Sequence, residues 1–147
     1  MISNIAFDLD GVLVPDYSHI AGLNHQQFYE YTLYAKPMFN PTGVFDIVTA
    51  RSEKYRAITE KWVSQLTTQP NRLIMKADKD EAPVVYKSRI CWEQGYRVFV
   101  ESDAEIVANM DKVTGLEVIH FDEYISRRFA KVAHQGELLN FASNQLS

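Results

Sequence analysis

The chain reads as an α/β protein, a Rossmann-like parallel sheet with helices on both faces and no large cap domain. Two observations predict this. Short apolar runs of strand length alternate with segments whose apolar residues recur at helical spacing. Strands alternating with helices pair in parallel and are covered on both faces. A third observation fixes the functional end. The run from Ile5 to Leu13, Ile-Ala-Phe-Asp-Leu-Asp-Gly-Val-Leu, ends its apolar part in Asp8 and Asp10, at the carboxyl edge where such sheets bind ligands.

The elements follow in order. Ile2 to Phe7 is a buried strand, and residues 14–43, with Pro15, Pro37 and Pro41, are a mixed insert. Within it, Asn24 and Gln27 have the spacing of a capping box and open a helix through Phe28, Tyr31 and Leu33. Val44 to Val48 is a strand. Ser52 caps the next helix, which carries Tyr55, Ile58, Trp62, Val63 and Leu66. Arg72 to Met75 is a short strand. Pro83 opens a helix through Val84, Ile90 and Trp92 that stops at Gly95. A strand from Arg97 to Val100, a helix from Asp103 to Val113 and a strand from Leu116 to Phe121 complete the pattern. Residues 1–147 therefore read as a single domain, with 122–147 a helical C-terminal extension. Its Phe129, Val132, Leu138, Leu139 and Phe141 are available to pack on the sheet or a partner.

Composition narrows the class. With 147 residues, 46% hydrophobic and 23% charged, the chain suits a soluble globular domain. A net charge of −4 gives no global surface for nucleic acid or membrane, while leaving room for a local basic groove. Cys91 is alone in an apolar run, so a buried thiol in a reducing compartment is expected rather than a disulfide framework. The sequence begins without a charged-then-apolar leader, and no run approaches the roughly 20 residues of a membrane span. The expected setting is cytoplasmic, with no membrane contact and the oligomeric state open.

The acidic pair carries the chemistry. Carboxylates at the end of a buried strand are costly unless cations or hydrogen-bond donors compensate them. A bound divalent cation is the simplest compensation; an acidic turn capped by Asp10 is the structural alternative. Thr49 ends the run Phe45 to Val48 and offers a hydroxyl and N–H groups at the same edge, or serves as a cap or turn residue. Lys87 is either a cation for the site or a solvated helix residue. Glu101 follows the strand Val98 to Val100, and Ser102-Asp103-Ala104-Glu105 fits a capping box with Ser102 as N-cap.

Taken in order, Asp8-x-Asp10, Thr49-x-Arg51, Lys87 and the acids Glu101, Asp103 and Glu105 resemble the haloacid dehalogenase superfamily of phosphohydrolases. The resemblance implies a haloacid dehalogenase-like hydrolase, a phosphatase acting through an aspartyl-phosphate. Asp8 is then the nucleophile and Asp10 the acid/base. Thr49 and Lys87 complete the catalytic set. The resemblance also implies magnesium, Mg2+, as cofactor, with metal-binding residues Asp8, Asp10 (through its carbonyl), Glu101 and, second to it, Asp103. The paired-aspartate form common in that superfamily is replaced here by Glu-Ser-Asp. About 40 residues separate Asp8 from Thr49 and Thr49 from Lys87, too few for a separate cap domain. The site is therefore expected to be open, or closed by a partner subunit.

The segment from Thr49 to Val63 is similar to the phosphatase domain of bacteriophage polynucleotide kinase. The shared features are the arginine after the motif threonine, Tyr55-Arg56, and Thr59-x-Lys61-Trp62-Val63. Lys87 followed by Ile90 and Trp92 matches as well. This resemblance implies a nucleic-acid 3′-phosphate end as substrate, with Arg51 contacting substrate phosphate. Tyr55, Ile58 and Trp62 are read as a core face. No kinase P-loop of the Gly-x-x-x-x-Gly-Lys type is present. A phosphatase of free nucleotides or other small phosphate monoesters is the rival enzyme. A phosphate-accepting receiver domain and a catalytically weak phosphate-binding or interaction module are the rivals of another class. Only a hydrolase needs an acid/base at Asp10.

Overall fold

The computed structural model describes residues 2–17, 20–77, 80–110 and 112–131. Five strands, β1 (Ile5–Phe7), β2 (Asp46–Ser52), β3 (Arg72–Lys76), β4 (Val98–Glu101) and β5 (Glu117–His120), form one sheet in the order β3-β2-β1-β4-β5. Every pairing is parallel. The acidic pair thus leaves the central strand, flanked by the ends of β2 and β4.

Four helices, α1 (His25–Thr32), α2 (Arg56–Val63), α3 (Pro83–Gln94) and α4 (Ala104–Asn109), connect the strands, and residues 121–131 form a fifth, α5. Because successive strand residues face opposite ways, β1 contributes to two cores. Phe7 and, just beyond the strand, Leu9 join Phe45 and Ile47, with Trp62 and Val63 of α2, on one face. Ala6 joins Val48 and Phe99, with Tyr86, Ile90 and Cys91 of α3, on the other. Leu33, Ala35 and Phe39 pack against the first core, and the Trp62 indole donates to the Ala35 carbonyl at 2.9 Å. The insert therefore lies on the domain instead of forming a second one.

The opposite edge is closed by a different carboxylate. Asp46 is fully buried at the start of β2 and accepts from Ser3, Tyr96 and Arg72. Its lone pairs are satisfied in place, as a buried carboxylate requires.

Several boundaries and faces differ from the sequence reading. The first strand begins at Ile5, and β2 begins at Asp46 with Val44 40% exposed. β2 also runs past Thr49 to Ser52, with a register shift between Val48 and Ser52. Ser52 caps a short 3₁₀ turn, Glu53–Tyr55, ahead of α2. The capping box of Asn24 and Gln27 opens α1, but the buried face is Phe28, Tyr29 and Thr32, leaving Tyr31 in solvent. Gly95 ends α3 at φ 69°, in the left-handed region that glycine favours. Trp92 is exposed while its neighbour Cys91 is buried. Asp103, not Ser102, is the N-cap of α4, which stops at Asn109. Phe121 opens α5 instead of ending β5. Phe129 on α5 is exposed; Val132, Leu138, Leu139 and Phe141 lie outside the described residues. Among the described residues no helix is long and apolar enough to cross a membrane.

Candidate active site

The chain leaves β1 through a tight turn. Val12, Leu13 and Val14 all donate to the Leu9 carbonyl, and Gly11 donates to Val14. This turn buries Leu9 and leaves Asp8 and Asp10 at the ends of β2 and β4. Gly11 is required twice. Its φ is +84°, and a Cβ there would lie 2.4 Å from the Ser102 hydroxyl oxygen. The close approach lets Ser102 donate to the Asp10 carbonyl at 3.2 Å.

Each carboxylate of the pair has its own cation. Lys87, buried on α3, places its Nζ 3.2 Å from Asp8 Oδ1 and 2.6 Å from Glu101 Oε2. The other Glu101 oxygen accepts from the Ser102 and Asp103 amides. Burial pushes the Asp8 carboxyl well above the usual carboxylate range; Lys87 pulls it back and Glu101 pushes it further up. Burial alone would lower the Lys87 ammonium, but Asp8 and Glu101 outweigh that and raise it, so it stays charged. With both carboxylates ionised, the triad carries one surplus negative charge away from bulk water.

Asp10 is held differently. Arg51 donates to both of its oxygens, Nη2 to Oδ1 at 2.7 Å and Nε to Oδ2 at 2.9 Å. The remaining guanidinium nitrogen donates to Thr59 Oγ1 at 3.1 Å, and the group stacks 4.0 Å from the Tyr29 ring centroid. Burial raises the Asp10 carboxyl, and the Arg51 hydrogen bonds and charge moderate the rise. The Asp10 side chain keeps 22% of its surface exposed, against 2% for Arg51. The Arg51 amide also donates to Thr49 Oγ1, within the register shift of β2, a place where such shifts re-aim side chains.

Asp8, Asp10, Thr49, Arg51, Lys87, Glu101 and Asp103 all line one cavity of about 360 Å³. Sequence reading missed Asp16, Tyr29 and Ser102, which also line it. The only signal for Tyr29 was its place one residue after Phe28 on a capped helix. Ser102 was visible but assigned to capping. Arg51, expected to contact substrate phosphate, lines this cavity and clamps Asp10, and Asp103 accepts from the Glu105 and Ile106 amides as cap.

The donor set suits magnesium. Among the described residues, no three His, Cys, Asp or Glu side chains converge into a ready-made metal cage. Magnesium does not need one, since it takes one or two carboxylates and completes its shell with water and phosphate oxygens. Asp8, Glu101 and the Asp10 carbonyl are hard oxygen donors at a site of surplus negative charge.

Replacing Arg51 by lysine is expected to cost about 1–3 kcal/mol, because a single ammonium cannot hold both Asp10 oxygens and Thr59. Denaturant unfolding measures the loss; an unchanged midpoint would show that the clamp is not structural.

The fold and the acidic mouth define a class: a doubly wound parallel-sheet protein whose ligand edge is lined by paired carboxylates and buried cations. No family model matches the chain, and no curated protein matches it. Among solved structures, a chain in the structure of the Pnkp1/Rnl/Hen1 RNA repair complex is similar, with TM-score 0.60 and 17% sequence identity. The match covers 82% of this chain and 42% of that one, so this chain spans less than half of its neighbour. At that identity the likeness is one of fold.

Proposed function

We propose that the protein is a magnesium-dependent phosphatase of the haloacid dehalogenase type that removes phosphate from nucleic-acid 3′ ends. The observation that carries this reading is the division of labour between two carboxylates two residues apart. Asp8 is buried against Lys87, and Asp10 is partly exposed and clamped by Arg51. A phosphoryl-transfer site with a covalent intermediate needs one carboxylate fixed for in-line attack and another able to exchange a proton.

In this mechanism an Asp8 carboxylate oxygen attacks phosphorus as the bond to the leaving oxygen breaks. Asp10, its carboxyl raised by burial, delivers a proton to that oxygen. Asp10 then takes a proton from water, whose oxygen attacks the aspartyl-phosphate, and the bond between Asp8 and phosphorus breaks to release phosphate. Lys87 holds Asp8 and offsets phosphoryl charge; Thr49 offers its hydroxyl and neighbouring amides to phosphoryl oxygens. Asp8, Glu101 and the Asp10 carbonyl are the residues that would hold magnesium. When bound, the ion neutralises charge between the phosphate and the nucleophile. The neighbour from an RNA repair complex supports a nucleic-acid end as substrate, by likeness of fold.

With magnesium, the purified protein is expected to release phosphate from a panel of 3′-phosphorylated oligonucleotides, nucleotides and sugar phosphates, fastest from the oligonucleotides. Faster turnover of mononucleotides would move the substrate to free nucleotides; no release from any member would leave a phosphate-binding or interaction module. Glu101→Gln is expected to raise the magnesium concentration needed for half-maximal activity more than Asp103→Asn does. Asp103 already serves as the cap of α4, and the reverse ordering would transfer the ligand role to it.

A further inference from the structure

A second cavity, of about 270 Å³, adjoins the first. It shares Asp10, Asp16 and Tyr29 with the catalytic cavity and is otherwise walled by the insert, including Tyr17, His25 and Phe28. We propose that this cavity is the leaving-group subsite and takes the terminal nucleoside of the substrate, its base stacked on the insert aromatics.

The inference rests on the phosphatase reading, because position is its first argument. In-line displacement sends the leaving group to the side of phosphorus opposite Asp8. The residue that protonates the leaving oxygen must lie on that side. Asp10 is that residue and forms part of the wall common to both cavities, whereas Asp8 lines only the catalytic one.

The lining chemistry selects the occupant. Three of its rings pack on one another, Tyr29 on His25 at 6.0 Å and on Phe28 at 5.4 Å, while the fourth, Tyr17, packs edge-on at 5.4 Å against Tyr31, which does not line the cavity. Such rings are held in place before any ligand arrives and offer stacking surface that tolerates any base. Tyr29 is further fixed by Arg51 against its ring, while its hydroxyl makes no hydrogen bond among the described residues. Tyr29 lines both cavities, and a phenol in their common wall suits a sugar hydroxyl. Asp10 and Asp16 are the acidic residues of the wall, Asp10 already paired with Arg51, and among the described residues His25 is the only basic one lining it. A neutral nucleoside fits there and a second phosphate does not, so a 5′ phosphodiester must leave through the mouth. The volume falls below the roughly 300–1,000 Å³ of drug-sized pockets, which limits the subsite to one nucleoside.

The test compares adenosine 3′-monophosphate with glycerol 2-phosphate, a monoester without a base, for the wild type, Tyr17→Ala and His25→Ala. The wild type is expected to favour the nucleotide in kcat/KM by at least tenfold. Loss of one stacking ring is expected to lower nucleotide kcat/KM by about 5- to 150-fold, mainly through KM. That loss should exceed the loss on glycerol 2-phosphate at least fivefold. Equal losses on both substrates, or none on the nucleotide, overturn the subsite while leaving the phosphatase standing. A 3′-phosphorylated oligonucleotide arm separates a chain end from a free nucleotide. Binding of adenosine itself, followed by NMR line shifts, needs no turnover. Adenosine binding weakened by both variants in a protein that releases no phosphate overturns the leaving-group role together with the phosphatase and leaves a nucleoside-binding cavity. Absence of adenosine binding together with no nucleotide preference overturns the subsite.

Discussion

Asp8→Asn is expected to lose at least about 10⁴-fold in phosphate release while unfolding at the same temperature as the parent or a higher one. The two outcomes have one cause. The carboxamide keeps the size of the side chain but cannot attack phosphorus, so the covalent route closes. It also removes a buried carboxylate whose ionised form burial disfavours. Lys87 then pairs with Glu101 alone at 2.6 Å, a neutral couple in place of a triad with one charge in surplus. Stability and activity therefore move in opposite directions, the pattern of a residue kept for chemistry against its own solvation. Phosphate release and a thermal melt on the same preparation measure both. Equal turnover by the variant would remove Asp8 from the reaction, and a large fall in melting temperature would make it a structural partner of Lys87.

The alternation of strands and helices along the chain was legible because it rests on period and punctuation. Apolar runs at the right length, Pro83 at a helix start and Gly95 at its end are local signals, and the structure uses them in the places where they stand. The start of α1 is a second case, since the capping box of Asn24 and Gln27 is complete within four residues. The acidic pair was legible for a related reason: charge at the end of a buried strand has few physical explanations.

What escaped the sequence depends on distant approach. Ser102 and Asp103 both fit a cap by type and spacing, and nothing local chooses between them. The choice follows from Gly11, ninety-one positions earlier, whose missing Cβ lets the Ser102 hydroxyl reach the Asp10 carbonyl and leaves capping to Asp103. The clamp of Arg51 on Asp10 escaped in the same way. A register shift in β2 and the ring of Tyr29 direct its fork onto Asp10, and neither is written next to it in the chain. Tyr29 itself faces inward, where Tyr31 was expected, because a buried guanidinium offers an aromatic ring a partner that a periodic pattern does not record.

Lys87→Met is expected to cost about 3–5 kcal/mol at pH 8, and the cost should shrink as the pH falls toward 5. Methionine retains most of the lysine stem and its packing, so the change is chiefly the loss of the cation between Asp8 and Glu101. In the parent, the folded Lys87 ammonium is raised, so its contribution is fully present below its unfolded pKa of about 10.4 and fades only as pH rises past it. Asp8 is raised too, first by burial. Its contribution is greatest below the unfolded value of about 3.9 and is lost as pH rises through the folded one. Without Lys87 the raising causes at Asp8, burial and Glu101, act unopposed. The variant therefore loses stability over the range in which Asp8 must ionise, whereas a packing defect alone would cost the same at every pH. Urea midpoints at pH 5, 6.5 and 8, with unchanged slopes, separate the two. Adding Glu101→Gln to Lys87→Met supplies the remaining check, because removing the second carboxylate should restore part of the stability at pH 8 by a non-additive margin. A pH-independent deficit, or strict additivity in the double variant, would mean that Lys87 holds the site by contact and not by charge.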